Sequence, residues 1–262
     1  MKKCLGLGIV ALLTIVMLTS LVGCIGVNRI VGSKNIETKV FDYSGFNRIE
    51  VSNTFNVDIS KSNTYQVSVT LNDNLFDVLD ISVLGDTLRI RMKPFTSIIN
   101  TTQQATISMP ELKALTISGA SRAVVSGFQS DSFLNLEVSG ASRMEINNLK
   151  ASDTNIQVTG ASRLSGSLVT NDGDFEISGA SSLELNGSTT SVKVDVSGAS
   201  HAKLASFIVG NASVTASGAS SADVEVNGLL DIDISGASNL TYGDSPKLGR
   251  VEVSGASTLS RR

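Results

Sequence analysis

The sequence predicts an all-β chain folded as a parallel β-helix, a solenoid whose coils are about 19–20 residues long. Three observations predict it. First, the phrase Ser-Gly-Ala-Ser stands at Ser118–Ser121, Ser139–Ser142, Ser178–Ser181, Ser197–Ser200, Ser217–Ser220, Ser235–Ser238 and Ser254–Ser257, with Thr159–Ser162 as an eighth copy. Its starts lie 21, 20, 19, 19, 20, 18 and 19 residues apart, a fixed period that marks repeat architecture. Second, apolar and polar residues alternate before each phrase (Leu136-Glu137-Val138, Phe175-Glu176-Ile177, Ile232-Asp233-Ile234) and after it (Met144-Glu145-Ile146, Leu183-Glu184-Leu185). That is the period of a strand with one buried face. Third, no segment of the repeats has a helical period, which argues against a leucine-rich repeat. A β-sandwich would also give short strands and turns, but it does not require eight like corners.

The elements follow in order. Residues 1–24 read as a lipoprotein signal peptide: Lys2 and Lys3, an apolar run from Leu5 to Leu18, then Leu21-Val22-Gly23-Cys24. The last four residues resemble the bacterial lipobox, which implies cleavage before Cys24 and a diacylglyceryl, palmitate-type anchor on that residue. Acyl chains hold a membrane by about 0.8 kcal/mol per buried CH₂. Cys4 would leave with the signal, so the mature chain would have no disulfide and no cysteine metal site. Ile25, not Asp, follows the cysteine; in a host with two membranes this does not favour retention at the inner one. Residues 25–40, polar with Asn28, Gly32, Ser33 and Lys34, read as a tether.

Residues 41–113 form a less regular β region, with strand-like runs at Arg48–Val51, Phe55–Ile59, Tyr65–Leu71, Asp77–Val83, Thr87–Met92 and Ala105–Ser108. It reads as irregular opening coils or as a cap, which a solenoid end needs to cover its apolar interior and free strand edge. Thr96 to Thr102, after Pro94, reads as a loop. Residues 114–262 are the regular repeats. In each phrase the Gly is the corner, since only Gly takes a positive φ freely. The Ala is expected to point into the tight corner, and the Ser hydroxyls to satisfy turn amides. Eight coils stacked at about 4.8 Å would span roughly 38 Å.

Phe46-Asn47-Arg48-Ile49-Glu50-Val51, Gly85-Asp86-Thr87-Leu88-Arg89-Ile90 and Leu115-Thr116-Ile117-Ser118-Gly119-Ala120-Ser121 resemble the bacterial family called "putative auto-transporter adhesin, head GIN domain", over roughly residues 41–257. The resemblance implies an exported protein and a right-handed β-helix. It supplies no catalytic residues to carry over. No alternating amphipathic strands follow the repeats to build a membrane barrel, so adhesion is expected to act from the lipid anchor.

Stacking the coils aligns like positions. The outward residue before each corner reads Thr116, Glu137, Gln157, Glu176, Asp195, Thr215, Asp233, Glu252. Glu176 with Asp195, and Asp233 with Glu252, would stand about 5 Å apart. Such pairs can hold Ca²⁺ or do acid–base work on polysaccharides; the plainer reading is a solvated face. A second outer row reads Glu145, Ser165, Glu184, Lys203, Asp223, Thr241, a pattern of ordinary charge compensation. Arg122, Arg143 and Arg163 follow three successive corners. Their guanidinium forks match sulfate, phosphate or uronate, against the plainer role of keeping the surface soluble. His201, the one histidine, has no evident nucleophile or orienting acid. The aromatics Phe41, Tyr43, Phe46, Phe55, Tyr65, Phe76 and Phe95 gather before the repeats, where core packing is the expected role and a sugar platform the alternative.

The net charge of −3 argues against a nucleic-acid partner. The expectation is therefore a non-enzymatic cell-envelope lipoprotein, on the outer membrane or cell surface, that binds polysaccharide or a surface protein or serves a structural role. No cofactor is expected; Ca²⁺ at Glu176, Asp195, Asp233 and Glu252 is the one candidate. The alternatives are a polysaccharide-active β-helix enzyme and a self-associating scaffold whose coils pair between copies.

Overall fold

Alternation along the chain becomes inside and outside of a stack of coils. The computed structural model describes residues 29–243 and 246–262. The proposed signal peptide, Cys24 and the start of the tether lie outside the described residues. The chain forms a β-solenoid of about seven turns with an irregular N-terminal region.

Each turn brings a run before the corner and a run after it to two ladders of parallel strands. On the first ladder Leu134–Val138 pairs with Ala114–Ile117 and with Asp153–Val158, which in turn pairs with the end of Arg163–Ile177. On the second, Arg122–Ser126 pairs with Arg143–Lys150, which pairs with the start of Arg163–Ile177. The inward positions are apolar and fully covered: Leu136, Ile156, Phe175, Val194, Val214 and Ile232 stack coil upon coil. The Phe175 and Phe207 rings lie 6.0 Å apart in the same interior. Each such side chain stabilises the fold by about 1.5–3 kcal/mol on burial, so the alternation sets the register more firmly than any surface pair can.

The corner differs from expectation in one respect. The Ala of the phrase points outward and the second Ser points inward: Ser142, Ser162, Ser181 and Ser200 are buried while Ala141, Ala161, Ala180 and Ala199 are exposed. The reason is hydrogen bonding. A buried Ser Oγ accepts the amide of the equivalent Ser one coil back: Ser121 N–H to Ser142 (3.2 Å), Ser142 to Ser162 (3.3 Å), Ser162 to Ser181 (3.4 Å) and Ser181 to Ser200 (3.3 Å). An inward methyl would leave those buried amides without a partner, at a cost of about 1–3 kcal/mol each. Ser121 Oγ, at the start of the ladder, has no hydrogen-bond partner; the equivalent position one coil back is Phe55. The corner Gly is required twice over. Gly179 has φ +80°, and a Cβ there would lie 2.5 Å from the Gly160 carbonyl oxygen.

The region before the repeats joins the same ladders, out of sequence order. Arg48–Val51 lies between Thr87–Met92 and Ala114–Ile117, and Asn56–Lys61 lies between Gln103–Met109 and Arg122–Ser126. Beyond these, pairing turns antiparallel. Leu79–Leu84 forms a hairpin with Thr87–Met92, Gln66–Asn72 pairs with Gln103–Met109, and Ile36–Phe41 pairs with Gln66–Asn72. A 3₁₀ helix, Asp73–Val78, covers the interior with Leu75. Phe46 and Phe55 are buried and Phe41, Tyr43, Tyr65 and Phe76 pack against the core, whereas Phe95 is 97% exposed.

Two expectations fail here. The stretch read as a tether carries the strands Arg29–Val31 and Ile36–Phe41, and the stretch read as a loop after Pro94 contains Ser97–Ile99, which pairs with Arg29–Val31. Polar side chains, which suggest a flexible tether, serve instead as clasps: the Asn72 amide donates to the Ser33 carbonyl (2.7 Å) and the Asn74 amide to the Val31 carbonyl (2.9 Å). Asp73 accepts from Ser33 Oγ (2.5 Å) and the Asn35 amide (3.3 Å), and the Ser33 bond first, then Asn35, holds its carboxyl below the usual range. A depressed carboxyl stabilises above its unfolded pKa of about 3.9 and loses that contribution as pH falls through its lower folded value. Amide exchange in residues 29–35 is therefore expected to rise relative to the coil interior as pH drops below about 4; a constant ratio between neutral and acid pH would contradict the clasp.

Candidate functional site

The corner ladders place Arg122, Arg143 and Arg163 in direct register, flanked by Asn56 on one side and Ser182 on the other. Their backbone amides are fixed by coil-to-coil bonds to the carbonyls of Phe55 (2.8 Å), Ser121 (2.9 Å) and Ser142 (3.0 Å). The three side chains are exposed and line a groove of about 500 Å³, whose floor is the outward methyls of Ala120, Ala141, Ala161 and Ala180. The inward turn of the Ser thus leaves a smooth channel beside the cations.

None of the three guanidinium groups forms an ion pair with a described carboxylate. Other described cations do: Arg48 with Asp86 (3.1 Å), Arg89 with Glu50 (3.0 Å), Lys203 with Glu184 (3.8 Å). Glu145, two residues beyond Arg143 on the same face, receives the Asn147 amide instead (3.4 Å). Like charges in register destabilise a sheet by a few tenths of a kcal/mol to about 1 kcal/mol per pair. The arrangement is a row of unspent forked donors at about 4.8 Å intervals.

The carboxylate row is in register as well: Glu176 pairs with Asp195, and Asp233 with Glu252. Here, cations stand among the acids. Lys193 reaches Asp195 at 2.5 Å, and Arg250 binds Glu252 through two nitrogens at 2.8 Å with Asp233 at 3.5 Å. The bonds from Arg250 hold the Glu252 carboxyl below its ordinary value. Among the described residues no three metal-capable side chains converge. The second outer row is compensated in the same manner, with Arg262 against Asp223 at 3.4 Å and Lys203 near Glu184. His201 meets Ser221 Oγ through Nδ1 at 2.6 Å, and no described carboxylate is bonded to the ring.

Residues 45–246 match the family "putative auto-transporter adhesin, head GIN domain". The chain belongs to this family. Its fold is shared with solved structures. A "putative adhesin" from Parabacteroides distasonis is 16% identical with a TM-score of 0.83, covering 90% of this chain and 100% of that one. A second, from Parabacteroides merdae, is 16% identical with a TM-score of 0.81, covering 89% and 99%. A "putative lipid binding protein" from Parabacteroides distasonis is 20% identical with a TM-score of 0.78, covering 90% and 100%. No curated protein matches. The adhesin name of the family suggests a surface or exported protein. Sequence reasoning found the register of the Arg row. It missed the outward Ala floor and the setting of Phe133, a ring that breaks the polar loop just before Leu134–Val138.

Proposed function

We propose that the chain is a non-catalytic binding module of the bacterial cell envelope, lipid-anchored through Cys24, that holds anionic polysaccharide along the Arg122, Arg143 and Arg163 groove. The observation that carries the reading is the set of three stacked guanidinium groups without carboxylate partners among the described residues, in a chain of net charge −3. A rigid backbone spaces the forks, so an anionic polymer that lies along the solenoid axis meets all three with little ordering cost. Lipid at Cys24 would keep the solenoid at the membrane, with the groove presented to the envelope surface.

The test is a binding screen of residues 25–262 against sulfated and uronate polysaccharides, with and without Ca²⁺, following thermal shift and release of reducing ends. A stabilising shift without new reducing ends is expected. Cleavage would replace this reading with an enzyme, and a shift only with Ca²⁺ would move the site to the carboxylate rows. A phosphate headgroup suits the same forks, and the lipid-binding name of one relative raises that class. Vesicles of anionic phospholipid run in parallel separate the two: binding to vesicles but to no polysaccharide would overturn the polysaccharide reading.

A further inference from the structure

Phe133 is 53% exposed at the entry to Leu134–Val138. It is the shared wall of two neighbouring hollows. One, of about 480 Å³, is lined also by Arg48, Lys113, Ser132 and Asn135. The other, of about 520 Å³, is lined also by Asp153, Asn155, Gln157 and Asp174.

The second hollow is rich in unspent acceptors. Asp153 and Asp174 take no hydrogen bond from a described side chain; Lys193, the neighbour of Asp174 one coil on, bonds Asp195 and acts on Asp174 only through its charge, while Asp172 in the same lining takes the Ser191 hydroxyl. The Asn155 amide donates to Asn135 Oδ1 at 2.7 Å and the Gln157 amide to Glu176 at 3.3 Å, so each keeps its own carbonyl oxygen. In the first hollow Arg48 is held by Asp86 and Lys113 by Glu111, which leaves it electrically balanced.

We infer that Phe133 is the stacking platform of a second site, which takes an uncharged linear glycan with one pyranose in each hollow. The ring offers its negative face to the axial C–H groups of a sugar, and the acceptor oxygens take its hydroxyl hydrogens. An anionic sugar is disfavoured beside Asp153 and Asp174, so this ligand class differs from that of the Arg groove. The inference deepens the reading of the chain as a glycan-binding module but rests on different residues.

The test uses the full chain purified in detergent, with soluble glucans, mannans and galactans as probes and heparin as the anionic control. At least one uncharged polymer is expected to bind. Phe133→Ala should weaken that binding about tenfold, Phe133→Trp should preserve it, and neither should alter heparin binding or the melting temperature. Absence of binding to every uncharged polymer, or equal binding by Phe133→Ala, would overturn this site and leave the Arg groove standing. Loss of heparin binding in Phe133→Ala would also overturn it, since the two sites would then not be separate.

Discussion

Gly179→Val is expected to lower stability by about 3 kcal/mol or more, an apparent melting temperature about 10 °C lower for a chain of this size. Two costs add. A β-branched residue resists the φ of +80°, and its Cβ would meet the Gly160 carbonyl oxygen at 2.5 Å, the acceptor of the Ala180 amide. Neither cost can be relieved locally, because Gly198 stacks on Gly179 in the same way. Gly85, in the hairpin, separates the two. It has φ +63° with nothing within 4 Å of its Cβ position, so Gly85→Ala carries only the conformational cost of about 1–2 kcal/mol. Gly179→Ala should therefore cost clearly more than Gly85→Ala, and equal costs would contradict the corner stacking.

Most of the solenoid is legible in the chain because its signals are local and repeated. Alternation around Glu137, Glu176 and Asp233 names the outward row, and the near-constant period aligns it. The register of Arg122, Arg143 and Arg163 follows from the same arithmetic. What is not legible depends on contacts between coils. Whether Ala or Ser turns inward is decided by an amide one coil away, which the phrase alone does not display. The strands at residues 29–31 and 36–41 look like a polar tether because their partners, residues 97–99 and 67–72, lie far off in sequence. Interleaving of Arg48–Val51 between Thr87–Met92 and Ala114–Ile117 is non-local in the same sense. Phe133 carries a faint signal, an apolar residue in a polar loop, but its two flanking hollows arise only when coils stack.

Replacing Arg122, Arg143 and Arg163 together by Ala is expected to have the largest effect on binding. Exposed ion pairs contribute about 0.2–1 kcal/mol each. Three engaged by one polymer sum to as much as about 3 kcal/mol, roughly a hundredfold in affinity. The stability of the fold should stay the same or rise slightly, because three like charges in register mildly oppose the sheet. That pairing of effects distinguishes a binding surface from a structural one, whose loss would lower the melting temperature. Replacement by three Lys should keep part of the affinity, since charge remains while the planar fork is lost.

The central measurement is binding of the wild-type chain and of the triple Ala variant to heparin and to a polyuronate at low and high salt. The account predicts wild-type binding that weakens as salt screens the exposed charges, binding by the variant weaker by up to about a hundredfold at low salt, and a melting temperature no lower in the variant than in the wild type. Equal binding by the variant, or a wild-type affinity indifferent to salt, would contradict it.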